Sequence, residues 1–327
     1  MPRNTRSPFL RTAVAVAAVA VGLSVLAACG DSGKGSDKSA EPGAGAAKGT
    51  ADPSTSGAPT ATPTTAATGT FAVTHVGGPT TLLEVGGLRL LLDPTFDAPK
   101  KYKSGLEKLH GPAFGPDKLG RVDAVLLSHD QHDDNLDDSG RELLKKVPVV
   151  LSTPGAQKRL GDHVTGLKSW QSQELKTAQG TVRVTAVPAL HGPDGVDRGA
   201  DGEVTGFVLS GAGVPVTYIS GDNASVKVAQ QVGDRVKKEI GPIDTAVLFA
   251  GAARTPAILD NAPLTLTSKN AALVAKNLAP RQVVPVHTDS WNIYSEDLAS
   301  LVKAFQEQGI ADKLVDVAPD GSKKNLS

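Results

Sequence analysis

The chain has 327 residues, a formal net charge of zero and only 4% aromatic side chains. So balanced a charge offers no basic field for nucleic acid. Its single cysteine rules out both an internal disulfide framework and a cysteine-rich zinc knuckle. With 35 glycines and 22 prolines, the composition fits a loop-rich globular domain joined to an unstructured stretch.

The first predicted element is a targeting segment. Arg3, Arg6 and Arg11 precede an apolar run of small residues over 13–28. That run is shorter than the ~20 residues of a comfortable membrane span, and its length and flanks are those of a signal peptide. It ends Leu26-Ala27-Ala28-Cys29-Gly30. This resembles a bacterial lipobox, in which the cysteine is lipidated and becomes the new first residue. Residues 1–28 are therefore predicted to be a lipoprotein signal peptide. Residues 29–69 are mostly Gly, Ser, Ala, Thr and Pro with no hydrophobic period, a composition that cannot offset its chain entropy. They are predicted to form a disordered, lipid-anchored tether spanning roughly 35 Å. The expected address is the extracytoplasmic face of the cell membrane, with the membrane as a partner through Cys29.

From Thr70 onward, short apolar runs rich in β-branched residues are bounded by turn residues. They predict strands over 81–85, 88–92, 122–127, 149–151, 182–186, 204–209, 216–219, 246–249 and 283–286. Gly86-Gly87 predicts a hairpin turn between the first two. Asp137 and Asp138 are expected to cap a helix carrying Leu143 and Leu144. Val228, Val232, Val236 and Ile240 predict a helix after Asn223. Another begins at Thr267 or Ser268 and stops before Pro280. Leu298, Leu301, Val302 and Phe305 predict a last one, capped by Ser295 and closed by Gly309. Strands followed by mixed strands and helices indicate one α/β domain over 70–327 with its sheets covered by helices.

Four predicted strands run into metal-type side chains: His129 to Asp134, then His191, then Ser220-Gly221-Asp222, and finally His287. Ligands in α/β sheets gather beyond the carboxyl ends of strands. The order resembles the metallo-β-lactamase superfamily, with its His-x-His-x-Asp-His motif, a lone His, a bridging Asp and a final His. More narrowly, the chain is similar to the branch of the ascorbate-phosphate lactonase and N-acyl-phosphatidylethanolamine phospholipase D enzymes. Val76-Gly-Gly-Pro-Thr80, Leu92-Asp93-Pro94, Leu127-Ser128-His129-Asp130 and Pro285-Val286-His287 carry that likeness over residues 71–309.

The resemblance implies a four-layer αββα sandwich and one or two divalent ions, zinc or else manganese or iron. It implies a metal-bound hydroxide acting on a small ester, lactone, amide or phosphodiester. Aligned on His129, the motif reads His129-x-Gln131-x-Asp133-Asp134. The implied ligands are His129, Gln131, Asp133, Asp134, His191, Asp222 and His287, with Asp133 as possible proton acceptor and Asp222 as bridge. Alternation along an extended segment favours Gln131 at the site, whereas a tight loop would bring His132 instead. Three carboxylates against two divalent ions and a hydroxide leave a neutral centre that prefers a harder metal. Asp93 is expected to support the site and His75 to face its mouth. The alternative reading is a surface binding protein that has lost catalysis with its imidazoles. No Gly-x-Ser-x-Gly occurs, which sets a serine hydrolase aside. Oligomeric state is not legible in the sequence.

Overall fold

Gly86 and Gly87 lie at φ +57° and +81°, the left-handed pair that a two-residue type I′ turn requires. They pair Val85 with Leu88 and Glu84 with Arg89. The computed structural model describes residues 70–326 other than 197, and not the side chains of 200 and 201. The predicted signal peptide, Cys29 and the tether lie outside the described residues. Among the described residues, no helix is long and apolar enough to cross a membrane.

In chain order the strands are β1 (Ala72–Gly77), β2 (Thr80–Val85), β3 (Leu88–Leu92), β4 (Lys100–Lys101), β5 (Glu107–Lys108), β6 (Ala124–Leu126), β7 (Val150–Ser152), β8 (Thr165–Gly166), β9 (Ser172–Thr177), β10 (Gly180–Pro188), β11 (Thr205–Gly211), β12 (Val214–Ile219), β13 (Thr245–Phe249), β14 (Gln282–Val286) and β15 (Lys323–Asn325). The helices are α1 (Asp138–Leu144), α2 (Pro154–Leu160), α3 (Val226–Glu239), α4 (Ser268–Leu278) and α5 (Leu298–Glu307). One mixed sheet runs β15-β1-β2-β3-β6-β7-β8, and a second runs β14-β13-β12-β11-β10-β9. The small β4–β5 ribbon stands apart.

Side chains alternate across a strand, and here both faces are buried. Leu90 and Leu92 of β3 join Leu126, Phe207, Ile219 and Phe249 in the core between the sheets. Leu91, Val125 and Leu127 face the other way, onto Leu136 and Leu144. Across the second sheet, Val208, Tyr218 and Leu248 pack on Val232 and Val236 of α3, Ala271 and Ala275 of α4, and Leu301 and Phe305 of α5. Strands buried on both faces read as continuous apolar runs, which is why they stand out in the sequence. The result is the αββα sandwich: two mixed sheets flanked by helices.

The helix caps are local chemistry. Asp137 accepts from Gly140 N at the start of α1, Ser225 from Val228 N at α3, and Thr267 from Asn270 N at α4. At α5 the cap is Asp297, which accepts from Ser300 N. Ser295 instead donates to Ala252 O, so the expected Ser295 cap is corrected. Helix α2, with Thr153 as cap and Pro154 at its first position, was not anticipated. Nor were β1, whose apolar run is broken by Thr74 and His75, or β9 and β15, whose sequences are rich in polar residues.

Candidate metal centre

Strands β10, β12 and β14 point the same way, because β10 and β12 are each antiparallel to β11 and β12 to β14 are parallel. Their carboxyl ends therefore deliver His191, Asp222 and His287 to one edge of the second sheet. From the first sheet, β6 delivers the loop that begins at Ser128. Among the described residues, two groups of ligand-type atoms result: His129, His132, His191 and Asp222, and then Asp134, Asp222 and His287. All but His132 are buried, and His132 is half-buried.

Three imidazoles converge in the first group. His129 Nε2 lies 2.7 Å from His132 Nδ1, which lies 3.1 Å from His191 Nε2. The far nitrogens of two rings are anchored. His191 Nδ1 donates to Leu264 O at 2.8 Å. Ser128 Oγ spends its hydrogen on Asp93 Oδ2 (2.6 Å) and so accepts from His129 Nδ1 (3.0 Å). These partners fix the tautomers and leave a lone pair on each inward Nε2. Burial, and then the charge of the neighbouring rings, keeps His129 well below its ordinary value and His191 at about 3. His132 is lowered mainly by burial. Neutral imidazoles are the form that binds a cation.

Asp222 joins the groups. Its Oδ2 faces His129 Nε2 at 4.0 Å, and its Oδ1 lies 3.4 Å from His287 Nε2. Burial pushes its carboxyl up to about 7. Gly221 before it adopts φ +54°, and an added Cβ there would meet Thr205 O at 2.5 Å, so only glycine fits the turn. Asp222 does not cap α3; Ser225 does.

His287 also adopts a left-handed backbone, φ +63°. Its N donates to Gly78 O at 2.8 Å, and its ring sits between Phe249 (5.3 Å) and Tyr294 (4.1 Å). Both ring nitrogens are buried without a hydrogen-bond partner, yet Nε2 lies 3.4 Å from both Asp134 Oδ2 and Asp222 Oδ1. Buried polar groups are almost always satisfied. Imidazole and carboxylate donors aimed at shared points are what a divalent cation would satisfy, so the residues present fit one.

The loop from His129 to Asp137 settles the open choice in favour of His132. Asn135 N and Leu136 N both bond His132 O, at 3.2 and 3.0 Å. The 2.7 Å approach of His129 and His132 shows that the segment between them curves rather than runs extended, which brings residues three apart together. Gln131 Oε1 is buried in the same loop. Asp133 belongs to neither group: its Oδ2 accepts from Ser104 Oγ at 2.5 Å. Its expected ligand and proton-acceptor role is corrected, and the neutral-centre count falls with it. One extra residue after His129 shifts the register. His132-Asp133-Asp134-Asn135 then matches the His-x-Asp-His end of the superfamily motif, with Asn135 at the last histidine's place.

Asp93 supports the site as expected, accepting from Ser128 N, Ser128 Oγ and Asn135 Nδ2. Burial pushes it up to about 6 against those bonds. His75 is not at a mouth: it is buried, with Nε2 on Gly78 O at 3.0 Å. Tyr294, whose hydroxyl donates to Asp134 Oδ2 at 3.3 Å, was missed, and no sequence signal marks it. Asn135 was missed as well, though counting the motif from His132 would have found it. Beside His191 opens a cleft of about 450 Å³, lined in part by Leu190, Val196, Arg198 and Glu203.

Residues 88–288 match the family described as the beta-lactamase superfamily domain. A UPF0173 metal-dependent hydrolase of Pyrococcus furiosus is 25% identical over 194 residues, covering 59% of this chain and 78% of that protein. The fold is similar to that of a possible metal-dependent hydrolase from Veillonella parvula, with a TM-score of 0.66 at 18% identity, covering 79% of this chain and 100% of that one. It is also similar to isothiocyanate hydrolase from Delia radicum gut bacteria, with a TM-score of 0.64 at 21% identity, covering 78% and 99%.

Proposed function

Since this chain belongs to the metallo-β-lactamase superfamily, we propose that it is a metal-dependent hydrolase acting at the edge where the two sheets meet. The observation that carries the reading is the pair of donor groups joined by Asp222, with anchored imidazoles on one side and the unsatisfied His287 on the other. His129, His132, His191 and Asp222 would hold one ion, and Asp134, Asp222 and His287 a second. A bound divalent ion supplies a Lewis acid and lowers the pKa of a coordinated water.

The chain's own residues do the rest. Ser128 and Leu264 orient the imidazoles, and Tyr294 steadies Asp134. In this reading Asp134, whose Oδ2 lies 3.4 Å from His287 Nε2, is the proton acceptor of the centre. The cleft beside His191 admits a small ester, lactone, amide or phosphodiester. The binding-only alternative rested on the loss of two imidazoles. With His132 in place the motif lacks one imidazole rather than two, at Asn135, so that reason lapses. Leu92-Asp93-Pro94 and Ser220-Gly221-Asp222 support a place on the branch of the ascorbate-phosphate lactonase and N-acyl-phosphatidylethanolamine phospholipase D enzymes. The Leu26-Ala27-Ala28-Cys29 sequence supports a lipid-anchored extracytoplasmic address.

Metal analysis of the purified full-length protein tests the function. Bound zinc, manganese or iron, lost on His191→Ala together with hydrolysis of generic ester, lactone or phosphodiester substrates, is the expected result. A protein that takes up none of these metals at neutral pH would refute it.

A further inference from the structure

The two donor groups are unequal, and Asn135 is the residue that separates them. The first group offers three imidazoles and a carboxylate; the second offers one imidazole and two carboxylates. Asn135 is fully buried next to both. Its Nδ2 donates to Asp93 Oδ2 at 2.9 Å and to Asp222 Oδ1 at 3.0 Å, with Ser128 Oγ at 3.4 Å. This orientation of the amide turns its N–H groups toward three oxygen atoms, of Asp93, Asp222 and Ser128. Its Oδ1 is left buried with no hydrogen-bond partner.

A histidine here would add a nitrogen lone pair to the second group. Asparagine adds at most a neutral amide oxygen, and its N–H occupies one lone pair of Asp222 Oδ1, the oxygen that faces His287. The second position therefore has fewer and harder donors, whereas imidazole-rich positions suit zinc. Resting on the metal-dependent reading above, we infer that Asn135 makes the centre fill in two steps. One zinc ion binds tightly among His129, His132, His191 and Asp222. A second binds about a hundredfold more weakly beside Asn135, at a position that favours manganese or magnesium over zinc. The tightly held state has one ion per chain.

The test needs no substrate. Chelator-stripped full-length protein is titrated with Zn²⁺ against a chromophoric competitor, then with Mn²⁺, and bound metal is counted after desalting. One zinc per chain should survive desalting, with a second uptake about a hundredfold weaker. Asn135→His should hold two zinc ions per chain, His287→Ala should keep the tight ion, and His191→Ala should lose it. Two zinc ions of equal affinity in the unaltered protein would overturn the inference and leave the proposed function standing. So would an Asn135→His variant with an unchanged melting profile that still holds one ion. If Asn135→His does not fold, the unaltered protein and His287→Ala decide the matter. Failure to take up any zinc, manganese or iron would instead overturn the metal-dependent reading itself.

Discussion

Asp137→Ala should damage the protein more than its position outside both donor groups suggests, because Asp137 pins the end of the ligand-bearing loop. The carboxylate is fully buried and accepts from Asp97 N at 2.7 Å, Gly140 N at 2.8 Å and Lys108 Nζ at 3.1 Å. Loss of the α1 cap costs about 1 kcal/mol, and stranding Asp97 N costs about 1–3 kcal/mol. Leaving the buried Lys108 ammonium without its anion costs about 3–5 kcal/mol while it stays charged. Burial already holds Lys108 below its ordinary value and Asp137 above its own, so proton release from Lys108 relieves part of that last contribution. The expected cost is about 4–6 kcal/mol, a large share of the ~5–15 kcal/mol that a folded domain has in total. Lys108→Met leaves Asp137 its two backbone donors and should cost less, about 2–3 kcal/mol. Urea denaturation of both single variants and the double variant measures these costs and a coupling of about 1–3 kcal/mol. Lys108→Met proving as costly as Asp137→Ala, or an absence of coupling, would refute the reasoning.

Gly78 sits at φ +58°, and an added Cβ would lie 3.1 Å from Trp291 Nε1; Gly78→Ala should cost about 1–2 kcal/mol. Because Gly78 O accepts from His287 N, the same variant should bind its second-position ion about tenfold more weakly, as read by Mn²⁺ titration; unchanged affinity would contradict it. Burial pushes the Asp97 carboxyl up, but hydrogen bonds from Lys100, Ser139 and Tyr102 outweigh it and hold the group at about 2, below the ordinary 3.8. A depressed carboxyl stabilises the fold above its unfolded pKa and loses that effect as pH falls through its folded one. About 1–2 kcal/mol should therefore disappear between about pH 4 and pH 2, and Asp97→Asn should flatten that limb of the denaturation profile. Finally, mass spectrometry of protein from its native host should find a mature, lipid-modified Cys29, and an intact Met1 terminus would refute the lipobox reading.

The sandwich was legible because its strands are buried on both faces. Leu88–Leu92 has the bounds its apolar run predicts, and Gly86-Gly87 forms the expected turn. What stayed hidden was set by surroundings rather than composition. Strand β9 is a run of polar residues with Leu175 as its one buried side chain, and it pairs along its length with β10. The site was half legible for a related reason. His287 follows β14 directly, and His191 and Asp222 come three residues after the ends of β10 and β12, so position along the chain gives position in space. The His129–Asp137 loop obeys no such period. Its curvature, which brings His132 to 2.7 Å from His129, is not written in any period, and a count that assumes extended backbone goes astray by one residue there.

The donors are divided between the halves of the sandwich. His129, His132 and Asp134 hang from the first sheet, whereas His191, Asp222 and His287 hang from the second. An ion bound there is thus a clasp across the seam, and its binding free energy becomes resistance to parting the sheets at that edge. At an ion concentration of about a hundred times its dissociation constant, the clasp contributes about 2.7 kcal/mol. Stripping the metal should loosen this rim first, visible as faster amide exchange in the loops after β6 and β14, while β3 and β11 in the sheet interiors keep their protection.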